Sequence, residues 1–374
     1  MVSGDTILIA RIAMDRISFP QSNSFYQTLK ARVDDYFRES RKQKTGNASM
    51  YIKTAIILAW LVTAYVLLVF FSASFLMAII TAFALAQGFV LVGFNIMHDA
   101  NHGSYSRNKT VNRIMGWSLD LIGGSSMLWK QKHNVLHHTY TNVHDLDDDL
   151  LTGGLLRLSP RQEWKPWHRF QLWYAFPLYS LLTISWLAFY DFQKLITGRV
   201  GAHRMPNIGA LQRLFFFSTK LFYVAYALAL PLFFHPVLHV LLVFLAIHLV
   251  TGLSLAIVFQ MAHTNSSRSF PQAKPESGML PDDWATHQVI TTADFAPNRP
   301  LAAWYLGGLN YQIEHHLFSR ICHVHYPALS RIVRSTCREF SIDYQSFPSI
   351  GAAFLAHVRF LRQMGRPPEA LPGR

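Results

Sequence analysis

Residues 75–102 read FLMAIITAFALAQGFVLVGFNIMHDANH. The stretch 75–97 carries no charge and is long enough to cross a bilayer as a helix. It runs straight into HDANH, where His98 and His102 stand four residues apart. If the helix continues, both imidazoles lie on one face. An apolar span that ends on paired histidines places metal-competent groups at a membrane boundary, so the fold to expect is a helical membrane protein with its chemistry at one end of the spans.

The rest of the sequence agrees. Of 374 residues, 51% are hydrophobic, 14% aromatic and only 15% charged, which marks a membrane protein. The net charge of +13 fits nucleic acid, anionic lipid, an acidic partner or basic cytoplasmic loops. No zinc-finger, RRM-like or helix-turn-helix pattern accompanies it, so nucleic acid is not expected as a partner. Cys322 and Cys337 form no CxxC pair and give no disulfide framework. The first 50 residues are polar and basic, without a secretory signal pattern.

Three further apolar stretches span by length: 54–72, 214–234 and 237–260. Short turns join 54–72 to 75–97 and 214–234 to 237–260, giving two hairpins. Nine Lys and Arg lie in 1–53, nine in 98–173, four in 191–213 and eleven in 261–374. The turns near 73–74 and 235–236 carry none. Two hairpins therefore put every basic segment on one side, the cytoplasm. Lys220 is the one basic residue within a span, close enough to its end to snorkel. A fifth stretch, 172–190, would break the charge pattern if it crossed; it reads as an interfacial or partly buried helix, with a further span as the alternative. The fold class is an all-α integral membrane protein, with four transmembrane helices in two hairpins and a cytoplasmic helical cap. The expected division is a basic N-terminal segment 1–50, a catalytic membrane domain 51–345 and a C-terminal tail 346–374, ending in the disordered GRPPEALPGR.

On this topology more histidines gather on the face of His98 and His102. HNVLHH at 133–138 holds His133 and His137 at i and i+4, with His138 about 100° further round a regular helix. QIEHH at 312–316 holds His315 and His316, with Gln312 four residues before His316. His263 follows the fourth span. Eight histidines exceed what one ion of four to six ligands can use; two ions can share them. Imidazole suits iron, zinc, copper or nickel. No cysteine stands within the histidine boxes themselves, which argues against structural zinc or an iron–sulfur cluster.

The segments HDANHGSYS, WKQKHNVLHHTYTN with the following DLDDDL, and GGLNYQIEHHLFSRICHVHYP resemble, in order, the three histidine-box regions of the membrane fatty acid desaturases. The resemblance covers roughly 50–345. Gln312 in place of the first histidine of the third box resembles the front-end subgroup, which inserts a double bond between the carboxyl end and an existing one. Many eukaryotic members carry a fused haem-b cytochrome domain with an HPGG motif; residues 1–50 hold no histidine. The resemblance implies a cytoplasm-facing di-iron centre with His98, His102, His133, His137, His138, His263, His315 and His316 as ligands. It implies dioxygen as co-substrate, a fatty acyl chain carried by coenzyme A or a membrane lipid, and a separate electron donor, a ferredoxin or a haem-b cytochrome with its reductase. A related di-iron hydroxylase acting on alkyl or acyl chains is the runner-up. A metal transporter would want ligands at mid-bilayer, and the boxes lie outside the spans.

An unactivated methylene offers no acid–base handle, so a redox metal with dioxygen must act on it. Carboxylates can orient the ligand rings: Asp99, Asp145, Asp147, Asp149 and Glu314 are candidates. Gln312 is expected beside the metal rather than on it, and Asn101, Asn134 and Asn142 are candidate partners of ring nitrogens. Trp117, Trp129, Trp304, Tyr305 and Tyr311 are candidates to line an acyl tunnel. Gly307 and Gly308 suggest a close backbone approach under the third box. Lys130, Lys132, Arg320 and Arg331 are candidates to meet a phosphate head group or an acidic donor. His323 and His325 stand as candidates behind the ligands, and His248 as a neutral histidine bonded within the fourth span.

Overall fold

The computed structural model of the chain describes residues 17–22 and 24–368. Residues 1–16 of the expected N-terminal segment and 369–374 of the expected tail lie outside them. Four helices are long and apolar enough to cross a membrane: Ala48–Phe70, Phe75–His102, Ala210–Phe233 and Val237–His263. Each contains or closely overlaps an expected span. Asn47 and Ser74 start the first two by accepting the backbone N–H of Met50 and Met77 on their side chains, which satisfies a donor that a helix start leaves unpaired. The second span packs against both the first and the fourth. It therefore carries His98 and His102 into the middle of the assembly rather than to its rim.

The stretch 172–190 is not one straight helix. Pro166–Ser180 and Leu182–Thr197 meet at a 60° bend. Pro177 lies inside the first of these and supplies no backbone N–H. Lys220 does not snorkel: it is buried, and its Nζ donates to Asp191 Oδ2 at 2.7 Å and to the Gly123 carbonyl at 2.6 Å. The ion pair ties the bent helices to the third span.

The remaining chain forms a helical layer over the histidine-bearing ends. Helix Ser24–Ser40 buries Phe25, Leu29, Val33 and Phe37, a stripe at four-residue spacing. They join Tyr311, Ile313, Leu317 and residues of helix Tyr326–Glu339 in one core. The expected tail needs correction. Ser346–Phe347 pairs in parallel with Asp294–Phe295, and helix Ile350–Met364 buries Ala353, Ala356, His357, Phe360, Leu361 and Met364. That helix packs on the fourth span and on Gln171–Ser180, so residues 346–364 belong to the core. Gly307 and Gly308 fulfil the expected close approach: φ is +60° and +72°, and a Cβ at Gly307 would collide with the Phe94 carbonyl of the second span.

Candidate metal centre

The second span continues unbroken to His102, after a π-helical segment Val92–Met97. Helix His98–His102 keeps both imidazoles on one face, their ring centroids 4.8 Å apart. Gly103, at φ +78°, ends it, a conformation glycine adopts without a Cβ penalty. His263 is the last residue of the fourth span. His315 and His316 sit in the short helix Gln312–Leu317, every residue of which is buried.

The second box departs from the regular-helix expectation. Gln131–His137 is a π-helix, in which the hydrogen-bonded repeat is five residues instead of four. His133 therefore meets His138, with their Nε2 atoms 3.2 Å apart. His137, not His138, turns to the second group of ligand atoms. One group is His98, His102, His133 and His315; another is His137, His263 and His316; His138 joins His315 and His316 in a third that links them. Within each group the candidate ligand atoms lie within 4.8 Å of one another. The His133–His138 separation fits two nitrogens on one ion, since bonds of about 2.1 Å at tetrahedral or right angles give roughly 3.0–3.4 Å.

The donor set fits a metal. Both ring nitrogens of His98, Nε2 of His102, His315 and His316, and Nδ1 of His138 and His263 are buried without a hydrogen-bond partner among the described residues. Each such atom costs about 1–3 kcal/mol if nothing satisfies it, and here they are gathered in one place. Burial first, then neighbouring imidazoles, pushes His133, His138, His315 and His316 well below the ordinary histidine value. They are held neutral, the form that binds a cation. His137 goes the other way. Burial lowers it, but the adjoining Asp147 and Asp149 carboxylates together raise it above the ordinary value.

Partners behind the rings fix their orientation, as is usual around metal-binding histidines. His137 Nδ1 lies 3.2 Å from both Asp147 oxygens and 3.2 Å from Asp149 Oδ2. Gln288 Oε1 lies 2.8 Å from His316 Nδ1, and the Thr141 hydroxyl 3.2 Å. The Tyr326 hydroxyl lies 3.3 Å from His315 Nδ1. Gln312 Nε2 donates toward His263 Nε2 at 3.0 Å. Asp99 faces His98, Oδ1 to Nδ1 3.8 Å, and bonds His323 Nδ1 at 2.8 Å. Sequence reasoning missed Gln288, Thr141 and Tyr326, which carry no spacing signal.

Other expectations are corrected. Asn142 donates to the carbonyls of His263, Ser269 and Thr291, Asn101 to that of Gly116, and Asn134 to that of Asn101. These amides staple backbone and do not hold rings. Glu314 turns to Tyr344 and Asp294; burial first and then Asp294 push its carboxyl well up. Asp145 pairs with His144, Oδ1 to Nε2 3.3 Å, at the surface. Lys132 is not free for a head group: it is bound to Asp149 at 2.7 Å and Asp148 at 3.6 Å. His248 lies within the fourth span but is not bonded within it: its Nε2 lies 2.6 Å from the Tyr223 hydroxyl of the third span and its Nδ1 3.0 Å from that of Thr183 in the bent helices.

Two spaces meet at the histidines. A cavity of about 620 Å³ is walled by His133, His137, His263, Gln312 and Asp147–Asp149, together with Leu150, Leu156, Leu158, Tyr179, Leu182 and Tyr190. A narrow apolar slot of about 50 Å³ runs from Met97, His98 and Trp129 past Gly93 and Leu255 to Thr183, His248 and Thr251. Trp129, Trp186 and Phe259 line both. Of the five expected tunnel aromatics, Trp129 alone lines them. Trp117 packs on Phe215, Trp304 under Lys53, Tyr305 bonds Gln87, and Tyr311 sits in the core beside Ser24–Ser40.

Two helices of spanning length bring His98, His102 and His263, and two short helical segments bring His133, His137, His138, His315 and His316, into one carboxylate-braced cluster able to hold metal, which defines a helical, membrane-type metalloprotein. Residues 73–348 match the model of the fatty acid desaturase family. The chain is 37% identical to the sn-1 linoleoyl-lipid 6-desaturase of Synechocystis sp., over 95% of this chain and 99% of that protein. It is 38% identical to the acyl-lipid (8-3)-desaturase of Physcomitrium patens, over 92% of this chain and 72% of that one. It is 33% identical to the acyl-lipid (8-3)-desaturase of Mortierella alpina, over 94% and 80%. The chain belongs to the fatty acid desaturase family and is an oxidoreductase.

Proposed function

We propose that this chain is an oxygen-dependent desaturase of front-end type, introducing a cis double bond into an acyl chain carried by a membrane glycerolipid. Two iron ions would be held by His98, His102, His133, His137, His138, His263, His315 and His316. The observation that carries this reading is the meeting of the two histidine groups with two adjoining spaces, a wide, largely apolar cavity with a histidine and carboxylate wall and a small apolar slot, which share Trp129, Trp186 and Phe259. An acyl chain lying through that junction has methylenes on the carboxyl side of its existing double bond against the imidazoles, its carbonyl end in the cavity and its methyl end in the slot. The names of the relatives, which refer to acyl-lipid substrates and to positions near the carboxyl end, support the lipid carrier and the front-end label.

When bound, iron supplies the oxidising power with dioxygen that breaks an unactivated C–H bond. The protein's own groups do the rest. Asp147, Gln288 and Tyr326 hold Nδ1 of His137, His316 and His315, turning the opposite nitrogens inward. Trp129, Trp186 and Phe259 keep bulk water from the junction. The spans form two hairpins, and the histidine-bearing ends with their helical cap face the cytoplasm, where the basic segments collect. The two electrons come from a separate ferredoxin or haem-b cytochrome with its reductase.

The test is mass-spectrometric mapping of double bonds in the lipids of a host that expresses the chain with a ferredoxin and its reductase. His137→Ala is the control. A new double bond on the carboxyl side of an existing one, absent from the control, is expected. A new hydroxyl, or an unchanged lipid profile with donor supplied and protein folded, overturns the reading.

A further inference from the structure

Lys53, on the first span, is buried, and no carboxylate lies within 4.0 Å of its Nζ among the described residues. An unpaired buried ammonium is costly, so its neighbours need an account. Its Nζ donates to Nε2 of His323 at 3.0 Å and lies 5.2 Å from the Trp304 ring centroid. With Nε2 accepting, the His323 proton sits on Nδ1, which donates to Asp99 Oδ2 at 2.8 Å. The His323 backbone N–H, at 3.2 Å, and the Cys322 thiol, at 3.0 Å, donate to the same oxygen. Gly308 seats the imidazole: a Cβ there would lie 2.7 Å from the His323 Cβ. Three donors thus fix one oxygen of Asp99. The other, Oδ1, lies 3.8 Å from His98 Nδ1, beyond hydrogen-bond length, and acts on that ring as a neighbouring charge.

We propose that Lys53 and His323 are positioning residues: they lock Asp99 so that its free oxygen sets the His98 ring, and through it one of the two metal sites. The inference rests on the di-iron reading above. Lys53 sets the tautomer of His323, His323 holds Asp99, and Asp99 orients His98. Lys53 lies far from the histidine groups in sequence, and it acts on the group His98, His102, His133 and His315 while leaving His137, His263 and His316 untouched.

The test is anaerobic titration of the purified full chain with ferrous iron against a chromophoric chelator, for wild type, Lys53→Met, His323→Leu and His323→Asn. Loss of such supporting partners typically weakens metal binding about 10–100-fold. The expected result is that wild type binds two irons. Lys53→Met and His323→Leu weaken one iron by that factor and keep the other at wild-type affinity. His323→Asn, whose amide N–H can replace Nδ1–H, restores most of the loss. Under turnover the variants lower kcat with KM unchanged. The retained iron reports that the fold is intact. Two irons held at wild-type affinity in both Lys53→Met and His323→Leu overturn the inference. Loss of both irons together in all three variants also overturns it, since that marks a general role in folding. A wild-type chain that binds no iron instead overturns the di-iron reading itself.

Discussion

Gly93 is where the apolar slot can be narrowed with least disturbance. It lies in the π-helical segment Val92–Met97 and lines the slot. A Cβ built there would have one heavy atom within 4 Å outside its own helix, Leu255 Cδ2 at 3.4 Å. Alanine therefore fits, and in a helix interior it gains up to about 1 kcal/mol over glycine. Valine adds two methyl groups beyond that Cβ, in space the methyl end of the substrate would occupy. Each acyl methylene denied burial costs about 0.8 kcal/mol, roughly fourfold in binding, so two cost about fifteenfold. The assay is competition between two acyl chains that differ by two methylenes at the methyl end, with product ratios read by mass spectrometry. Gly93→Val should shift the kcat/KM ratio about 4–15-fold toward the shorter chain, and Gly93→Ala much less. An unchanged ratio in a folded, iron-loaded Gly93→Val protein would refute the placement of the methyl end in this slot.

Asp147 accepts from His137 Nδ1 at 3.2 Å and from the backbone N–H of Asn142 at 2.9 Å and Asp149 at 3.1 Å. Asp147→Asn sets a donor against these donors, so it should weaken iron at the His137 group about 10–100-fold; chelator competition with unchanged affinity would count against that bracing role. Gly307→Ala forces a Cβ onto the Phe94 carbonyl at φ +60° and should cost about 1–3 kcal/mol or more, seen as a lower Tm in detergent; an unshifted Tm would show that the approach is not tight. His287 donates to the Thr141 carbonyl at 2.9 Å, and burial pushes it down to about 4. Below the ordinary value near 6.5 the unfolded chain takes up a proton that the folded chain refuses. The resulting stability is complete above about 6.5 and is lost as pH falls toward 4, by about 2 kcal/mol at pH 5. Thermal unfolding from pH 7 to 5 should show a shallower decline in His287→Gln; an identical decline would exclude His287 as its source.

What the sequence discloses about the fold depends on whether the signal is local. An uncharged run of about twenty residues can do little but span, and all four such runs do so by length and composition. The bend in 172–190 was less visible, because its apolar residues are continuous and Pro177 alone marks an irregularity. The C-terminal helix is followed by a glycine- and proline-rich segment with the composition of a tail, and only the stripe Ala353, Ala356, Phe360, Leu361 and Met364 just before it marks a buried helix. That 3.6-residue period was present to be read. The partner of Ser24–Ser40 was not, since helix Tyr326–Glu339 lies some 300 residues away in the chain.

For the centre, residue types were legible and their partition was not. The first box and His263 lie at the ends of apolar spans, which sequence hydropathy reveals, while the second and third boxes sit in short helices that fold back onto them. Which histidines share a group depends on helical register. In a regular helix His133 and His137 would share a face, and His138 would serve the neighbour. The π-helix Gln131–His137 inserts one residue into the turn, so His133 meets His138 and His137 crosses to His263 and His316. A single hydrogen-bond register thus reassigns two of eight candidate ligands without changing a residue. Spacing motifs list the donors for a metal; only the backbone path decides how they are shared.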